Sequence, residues 1–337
     1  MDYRRLGNSG LLVSELALGT MIFGESSERG TSTDEAARMI QFYLDAGGNH
    51  FDLADVYAAG QAEKIVGQAI QGHREQVVLT TKVRWPMGNG VNDVGLSRYH
   101  IQNGVEASLR RLNTDVIDVL YLHGWDPFTL LEESLRTCED LVRRGKVRYI
   151  GVSNFKAWQV MKSLGISDKN GWVRFIAAQY QYSLVVRDIE GEFLDMCEQE
   201  GLGLVPWGPL GGGFLSGKYH SGHVPSNPSE GRLAGTPDSS EESWVKRCTE
   251  HNWKVLEVIQ QVVQVHPGSS TSQVALTWLL TRPTVSSVIV GARNLDQLAD
   301  NLKAASLILA DSEITQLNSI SEIPLAYPYR LINPKAR

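Results

Sequence analysis

HFDLADVYAAGQAEKIVGQAI, His50 to Ile70, sets an acid inside an apolar strand and a tyrosine just beyond it. Phe51-Asp52-Leu53-Ala54 reads as a buried strand, and Ala62 to Ile70 has the period of an amphipathic helix. A carboxylate in a buried strand is costly unless a cation or hydrogen-bond donors meet it. The fold therefore has to bring a partner cation to Asp52.

Outward from this stretch the chain repeats a rhythm of short apolar strand, loop and amphipathic helix. Strands are expected at Leu16–Leu18, His50–Leu53, Val77–Lys82, Val116–His123, Tyr149–Val152, Phe175–Gln179, Leu202–Trp207 and Ser287–Val290. The intervening helices are about Asp34–Gly47, Ala62–Gly72, Arg98–Leu112, Leu130–Arg144, Lys156–Leu164, Ile189–Glu200, Thr271–Thr281 and Leu295–Ala304. Eight βα units over about 290 residues fit an α/β protein of the (β/α)8 TIM-barrel class. Residues 3–14, around Gly7-Asn8-Ser9-Gly10, predict an N-terminal β-hairpin. After the seventh strand, residues 208–265 read as an insertion, a Gly/Pro/Ser-rich loop followed by a helix at about Glu241–Val265. Residues 311–337 read as a further helix and a Pro-rich tail, so 1–337 is expected to be one barrel domain.

A net charge of −6 disfavours a nucleic-acid partner or an anionic membrane surface. Three widely spaced cysteines make no disulfide or metal framework. With no apolar leader and no spanning run, the chain is expected in the cytoplasm, as a monomer or homo-oligomer acting on a small molecule. His220 and His223 have metal-ligand spacing but no third ligand, so no metal is expected.

In a (β/α)8 barrel the reactive groups sit at the C-terminal strand ends around one cavity. Asp52, Lys82 and His123 come from the ends of three consecutive strands, with Tyr57 on the loop above. Asn154 and Gln179 stand at later strand ends, beside Ser153. Lys82 is then the cation that Asp52 requires, and its charge lowers the Tyr57 pKa. His123 donates a hydrogen bond to a carbonyl oxygen, and Tyr57 protonates it. These side chains equip a cavity for C=O reduction, and a cofactor has to bring the hydride. No GxGxxG follows a strand, and the near-Walker pattern Gly212…Gly217-Lys218 ends in Tyr219, where magnesium binding needs Ser or Thr. The Gly-rich stretch can still offer backbone amides to a pyrophosphate. Gly291 ends the eighth strand just before a helix start, and Arg293 there suits a phosphomonoester.

FDLADVYAAGQAE, LTTK, LYLHGWD, GKVRYIGVSNF and PWGPLGGGFLSGKY together resemble the successive motifs of the aldo-keto reductases, over about Arg5 to Ala304. The likeness is to the branch with bacterial reductases and potassium-channel β subunits. It implies NADPH/NADP+ as cofactor, Tyr57 as general acid/base, Asp52 and Lys82 as its modulators, and His123 as the carbonyl-orienting group. Channel β subunits place Asn where this chain has His123. The resemblance further implies that Ser153, Asn154 and Gln179 meet the nicotinamide carboxamide and that Trp207 stacks on its ring. Gly19, Thr20, Met21, Asp52, Gly208, Pro209, Leu210, Gly211, Gly213, Ser216 and Lys218 would line the cofactor channel, with Arg232 closing over it. Arg293 would grip the adenosine 2′-phosphate, Gln297 and Asn301 would reach the adenine, and Val290, Gly291 and Asp300 would also be cofactor-binding.

Candidate substrate-pocket residues are Met21, Phe23, Tyr57, Trp85, His123, Trp125 and Tyr182, with the tail at Tyr327–Tyr329 able to close one side. Large aromatics around one barrel end suit a bulky or cyclic carbonyl compound such as a sugar, terpenoid or toxin. The alternative is an NADPH-binding, redox-sensing regulatory subunit resembling channel β subunits.

Overall fold

In the computed structural model, which describes residues 1–324 and 326–331, eight parallel strands curl into a barrel. A hairpin of β1 (Tyr3–Arg5) and β2 (Leu12–Ser14) precedes them. The barrel strands are β3 (Leu16–Gly19), β4 (His50–Asp52), β5 (Val78–Val83), β6 (Ile117–Leu122), β7 (Val147–Ser153), β8 (Phe175–Gln179), β9 (Gly203–Leu204) and β10 (Val288–Gly291). They pair in that order, and β10 returns to pair with β3. Between β9 and β10 the circuit closes through Leu204 N→Thr284 O, Ser286 N→Leu204 O and Ile289 N→Pro206 O. The expected (β/α)8 architecture is therefore present.

The outer helices are α1 (Thr33–Asp45), α2 (Gln61–Ala69), α3 (Arg98–Leu112), α4 (Leu131–Arg143), α5 (Ala157–Asn170) and α6 (Phe193–Glu200). Next come α7 (Trp244–Arg247), α8 (Glu250–Val265), α9 (Thr271–Leu280), α10 (Leu295–Leu302) and α11 (Asp311–Ile320). Two cores follow from the period of two along each strand. Leu16, Leu18, Phe51, Leu53, Leu79 and Leu120 face the helix ring. Ala17, Val78, Val119, Tyr121, Ala177, Val205 and Ile289 fill the barrel, and Leu6 of the hairpin joins them. Cys138 on α4 is buried in the outer core, where desolvation pushes its thiol up to about 12.

Local chemistry moves several boundaries. The expected single helix at 241–265 breaks after Arg247, because Thr249 accepts from Asn252 N to cap α8 and Asn252 Nδ2 donates back to Arg247 O. The expected helix at Ile189–Glu200 is a 3-10 turn, Asp188–Gly191, followed by α6. The fifth helix runs on to Asn170, where Gly171 in the left-handed region ends it. The seventh strand keeps only Gly203–Leu204 in regular pairing, although Val205 and Trp207 amides still donate to Ala178 and Tyr180. Residues 332–337 of the expected tail lie outside the described residues. Among the described residues, no helix is long and apolar enough to cross a membrane.

The interior has one contact with no slack. A Cβ added at Gly151 on β7 would lie 2.4 Å from the ring of fully buried Tyr121 on β6. Overpacking of this kind costs about 1–3 kcal/mol, and here the obstacle is a ring locked in the barrel. Gly151→Ala is expected to lose about 3 kcal/mol in urea unfolding, and an unchanged midpoint would contradict this packing.

Candidate active site

The period of two that fills the barrel also aims its polar side chains. On β5 the inward column runs Val78, Thr80, Lys82; on β6, Val119, Tyr121, then His123 just past the strand end. Asp52 ends β4, and Lys82 pairs in register with Tyr121 on the next strand.

Lys82 is the partner that Asp52 needs. Its Nζ donates to Asp52 Oδ1 at 2.8 Å and Oδ2 at 2.9 Å, to Leu53 O at 2.6 Å and to Tyr57 Oη at 3.2 Å. Both charges are almost fully buried. An ammonium has three protons, and the carboxylate, the carbonyl and the phenol receive them. Since the Tyr57 oxygen accepts from Lys82, its own proton is left to point elsewhere. Desolvation alone would lower the Lys82 pKa, but Asp52 and Tyr57 outweigh it and hold the ammonium charged. Gln179 Nε2 adds a 2.9 Å bond to Asp52 Oδ1.

Tyr57 opens a 3-10 turn, Tyr57–Gly60, in which Ala58 and Ala59 have φ of 46° and 52°. Two consecutive non-glycine residues in the left-handed region store strain directly after the phenol. The turn is braced from beneath by Glu63, which accepts from Thr81 Oγ1 at 2.7 Å and Arg111 Nε at 2.5 Å. Burial raises the Tyr57 pKa more than Lys82 lowers it. This reverses the net direction expected from the sequence: the phenol is held protonated, the form an acid needs.

His123 meets Tyr57 edge to face, ring centroids 6.1 Å apart. Desolvation, with Lys82 and Arg84 adding to it, lowers its pKa to about 2, so the imidazole is neutral. Its Nδ1 is sealed without a partner, leaving Nε2 as the nitrogen open to the cavity. Asn154, at φ 58°, ties the site together. Its Nδ2 donates to His123 O at 3.2 Å and Ser153 Oγ at 2.8 Å, and its Oδ1 accepts from Trp207 Nε1 at 3.2 Å. Ser153 Oγ continues to Gln179 O. Asp52, Tyr57, Lys82, His123, Ser153, Asn154, Gln179 and Trp207 thus form one connected cluster.

A second group lies along the loops after β9 and β10. Gly208, Gly211, Gly212, Gly213 and Gly217 all have φ between 56° and 85°, winding the chain through Pro209, Leu210 and Ser216 in tight turns. The amides of Gly211, Gly213, Leu215 and Ser216 are spent inside those turns, while those of Leu210, Gly212 and Lys218 have no backbone acceptor among the described residues. Lys218 Nζ lies beside Gly231 and Arg293 Nη1 donates to Ser229 O, so two cations reach one short segment, where desolvation and the Arg293 charge lower the Lys218 pKa. Neither Lys218 nor Arg293 has an acid within 4.0 Å among the described residues. Repelling cations without a counter-charge suit a phosphate. Arg232 spans from Glu242 to Met21, its Nη2 3.8 Å from the Met21 sulfur. Thr20 Oγ1 donates to Asp52 O, and Gly19 pairs with both Asp52 and Gly291.

At α10 some of the amide donors read from the sequence are already taken. The Arg293, Leu295 and Gln297 amides already meet Gln297 Oε1, Glu35 Oε1 and Asn294 Oδ1. Asp300 is drawn away to Ser270 and Gln273, where it helps fix the start of α9. Asn301 is buried and ties back to Gly291 O, beside Val290 in the outer core. The Arg293 guanidinium, with a single 3.4 Å bond to Ser229 O, stands there beside the amides of Asn294 and Asp296, for which no acceptor is found among the described residues.

Two expected pocket walls are core residues. Phe23 is fully buried, and Tyr182 is sealed against Trp278 with its hydroxyl donating to Glu190. Tyr329 packs on Gly191 and donates to Glu192, along the start of α6, while Tyr327 is exposed. Trp85 does reach the site, 6.2 Å from the His123 ring, and half-buried Trp125 packs edge-on to Phe155. The sequence reading missed Arg84, whose Nε and Nη2 donate to Trp125 O at 3.3 and 3.2 Å. The period of two beyond Lys82 was the signal for it. Among the described residues no three His, Cys, Asp or Glu side chains gather into a metal site, and His223 pairs with Glu230.

A family model described as "Aldo/keto reductase family" matches residues 15–322. A "Probable voltage-gated potassium channel subunit beta" of Arabidopsis thaliana is 37% identical over 98% of each chain. An "Uncharacterized oxidoreductase YrpG" of Bacillus subtilis is 36% identical over 98% of this chain and 100% of its own. A "Norsolorinic acid reductase" of Aspergillus flavus is 33% identical over 98% of this chain and 84% of its own.

Proposed function

Because this chain belongs to the aldo/keto reductase family, we propose that it is an oxidoreductase reducing an aldehyde or ketone to an alcohol with NADPH. The observation that carries the reading is the Asp52–Lys82–Tyr57 chain of hydrogen bonds, with a neutral His123 set edge to face against Tyr57. When bound, NADPH supplies the hydride that no side chain can. Trp207, fixed through Asn154, and Ser153 are the residues that would position the nicotinamide. His123 Nε2–H holds the carbonyl oxygen, polarising it and favouring the charge that develops there. Tyr57 gives that oxygen its proton, and the Lys82 ammonium, anchored by Asp52, stabilises the phenolate left behind. The steps run backwards for alcohol oxidation. Trp85 beside His123 suits a bulky or cyclic substrate.

Lys218 and Arg293 are the residues that favour NADPH over NADH. Charge-assisted bonds to a phosphate are worth about 1.5–3 kcal/mol. Arg293→Ala is expected to weaken NADPH binding by about ten- to a hundredfold in fluorescence titration, with little change for NADH. Equal losses for both cofactors would remove the 2′-phosphate assignment.

A redox-sensing subunit is the second reading, favoured by the channel-subunit names of two relatives. Following nicotinamide absorbance with NADPH and a panel of activated aldehydes separates the two. Sustained turnover supports the reductase; tight NADPH binding with no turnover on any carbonyl supports the subunit.

A further inference from the structure

Arg84 continues the inward column of β5, two residues beyond Lys82, and so stands at the rim of the same cavity. It is held from two sides. Its Nε and Nη2 both donate to the Trp125 carbonyl on the loop after β6, and its guanidinium lies 4.2 Å from the centre of the Trp85 ring. Trp85 in turn meets His123 edge to face. This grip occupies only some of the five N–H groups of the guanidinium. No Asp or Glu lies within ion-pair distance of Arg84 among the described residues, whereas Arg232 across the site is tied to Glu242. The acid that feels its charge is Asp126, whose oxygens are already taken by the amides of Leu96 and Phe128 and by Thr129 Oγ1. Its charge also reaches His123, one of the causes that keep that imidazole neutral.

A half-buried guanidinium, ordered in advance by stacking and making no direct ion pair, is suited to a planar carboxylate. We propose that Arg84 is a specificity-determining residue that receives the carboxylate of an acidic carbonyl substrate while His123 and Tyr57 hold its C=O. The proposal rests on the reductase reading above. A carboxylate on a ring or short chain attached to the carbonyl carbon would bring its anion to the Arg84 guanidinium, and the aromatic rim then serves the part of the substrate between the two ends. A purely structural Arg84, strapping the loops after β5 and β6 together, is the competing explanation, and it predicts no preference for an anion.

The test compares 3- and 4-carboxybenzaldehyde with their methyl esters, which present similar aldehydes without the charge. For the full chain with NADPH, kcat/KM is expected to favour at least one acid over its ester. Arg84→Gln is expected to lower that acid-to-ester ratio by about ten- to a hundredfold, and Arg84→Lys to restore part of it. A ratio that does not move in Arg84→Gln, or a wild type that prefers both esters, overturns the proposal. Tryptophan quenching by benzoate is read in parallel and needs no turnover. If no aldehyde is reduced but benzoate affinity still falls about tenfold or more in Arg84→Gln, the carboxylate site stands and the reductase reading falls. If benzoate affinity is unchanged as well, the proposal falls with it.

Discussion

Tyr57→Phe is expected to cut carbonyl reduction by roughly 10²–10⁴-fold, the usual worth of a positioned general acid. Only the hydroxyl is lost, so the ring can keep its edge-to-face contact with His123. NADPH affinity and the melting transition should therefore stay near those of the parent, and the loss should fall on kcat. The pH profile gives the same assignment a second handle. Burial holds the Tyr57 pKa above its ordinary 10.0, so the proton-donating form persists through the neutral range. Reduction should stay flat there and decline only as pH rises through the phenol's pKa, while alcohol oxidation, which needs the phenolate, gains over the same span. His123, with a pKa of about 2, should add no limb between pH 5 and 8. Retention of more than about a tenth of the parent kcat in Tyr57→Phe would remove the phenol from the acid role.

Lys82→Met should have the largest structural consequence. It leaves the Asp52 carboxylate buried with the Gln179 amide as its remaining side-chain donor. Removing one partner of a buried pair costs about 3–5 kcal/mol, because the other charge stays behind without compensation. Leu53 O and the Tyr57 hydroxyl lose a donor at the same time. The double variant Asp52→Asn/Lys82→Met removes the stranded charge, so urea unfolding should recover about half or more of the lost stability. Catalysis should not recover, because nothing then stabilises the Tyr57 phenolate. Additive stability losses in the two single variants would show that the pair is not energetically coupled.

The barrel was legible because its signal is repeated eight times, and a slip in one strand end does not disturb the period. The Asp52–Lys82–Tyr57–His123 cluster was legible for a related reason. A buried acid demands a cation, and the topology of consecutive strands says where one can come from. What the sequence concealed were choices between competing partners. Four amides in the glycine-rich loop are taken up by its own turns, and three at α10 by Gln297, Glu35 and Asn294. Asp300 belongs to α9, and Tyr182 belongs to Trp278. The Tyr57 pKa went the other way because desolvation exceeded the effect of a single nearby ammonium, a balance of magnitudes that residue identities do not express. The break before Thr249 was readable in principle, since Thr249 and Asn252 have the spacing of a helix N-cap.

In the proposed reaction, hydride passes from NADPH to a carbonyl carbon while Tyr57 protonates the oxygen. NADPH carrying deuterium at both C4 positions of the nicotinamide, mixed with the protein and an aromatic aldehyde, tests it within one turnover. The account predicts an alcohol with a single deuterium on the carbinol carbon in the parent protein and almost none from Tyr57→Phe over the same interval. Cofactor that binds tightly and keeps its deuterium, with no labelled alcohol from any aldehyde offered, would contradict it.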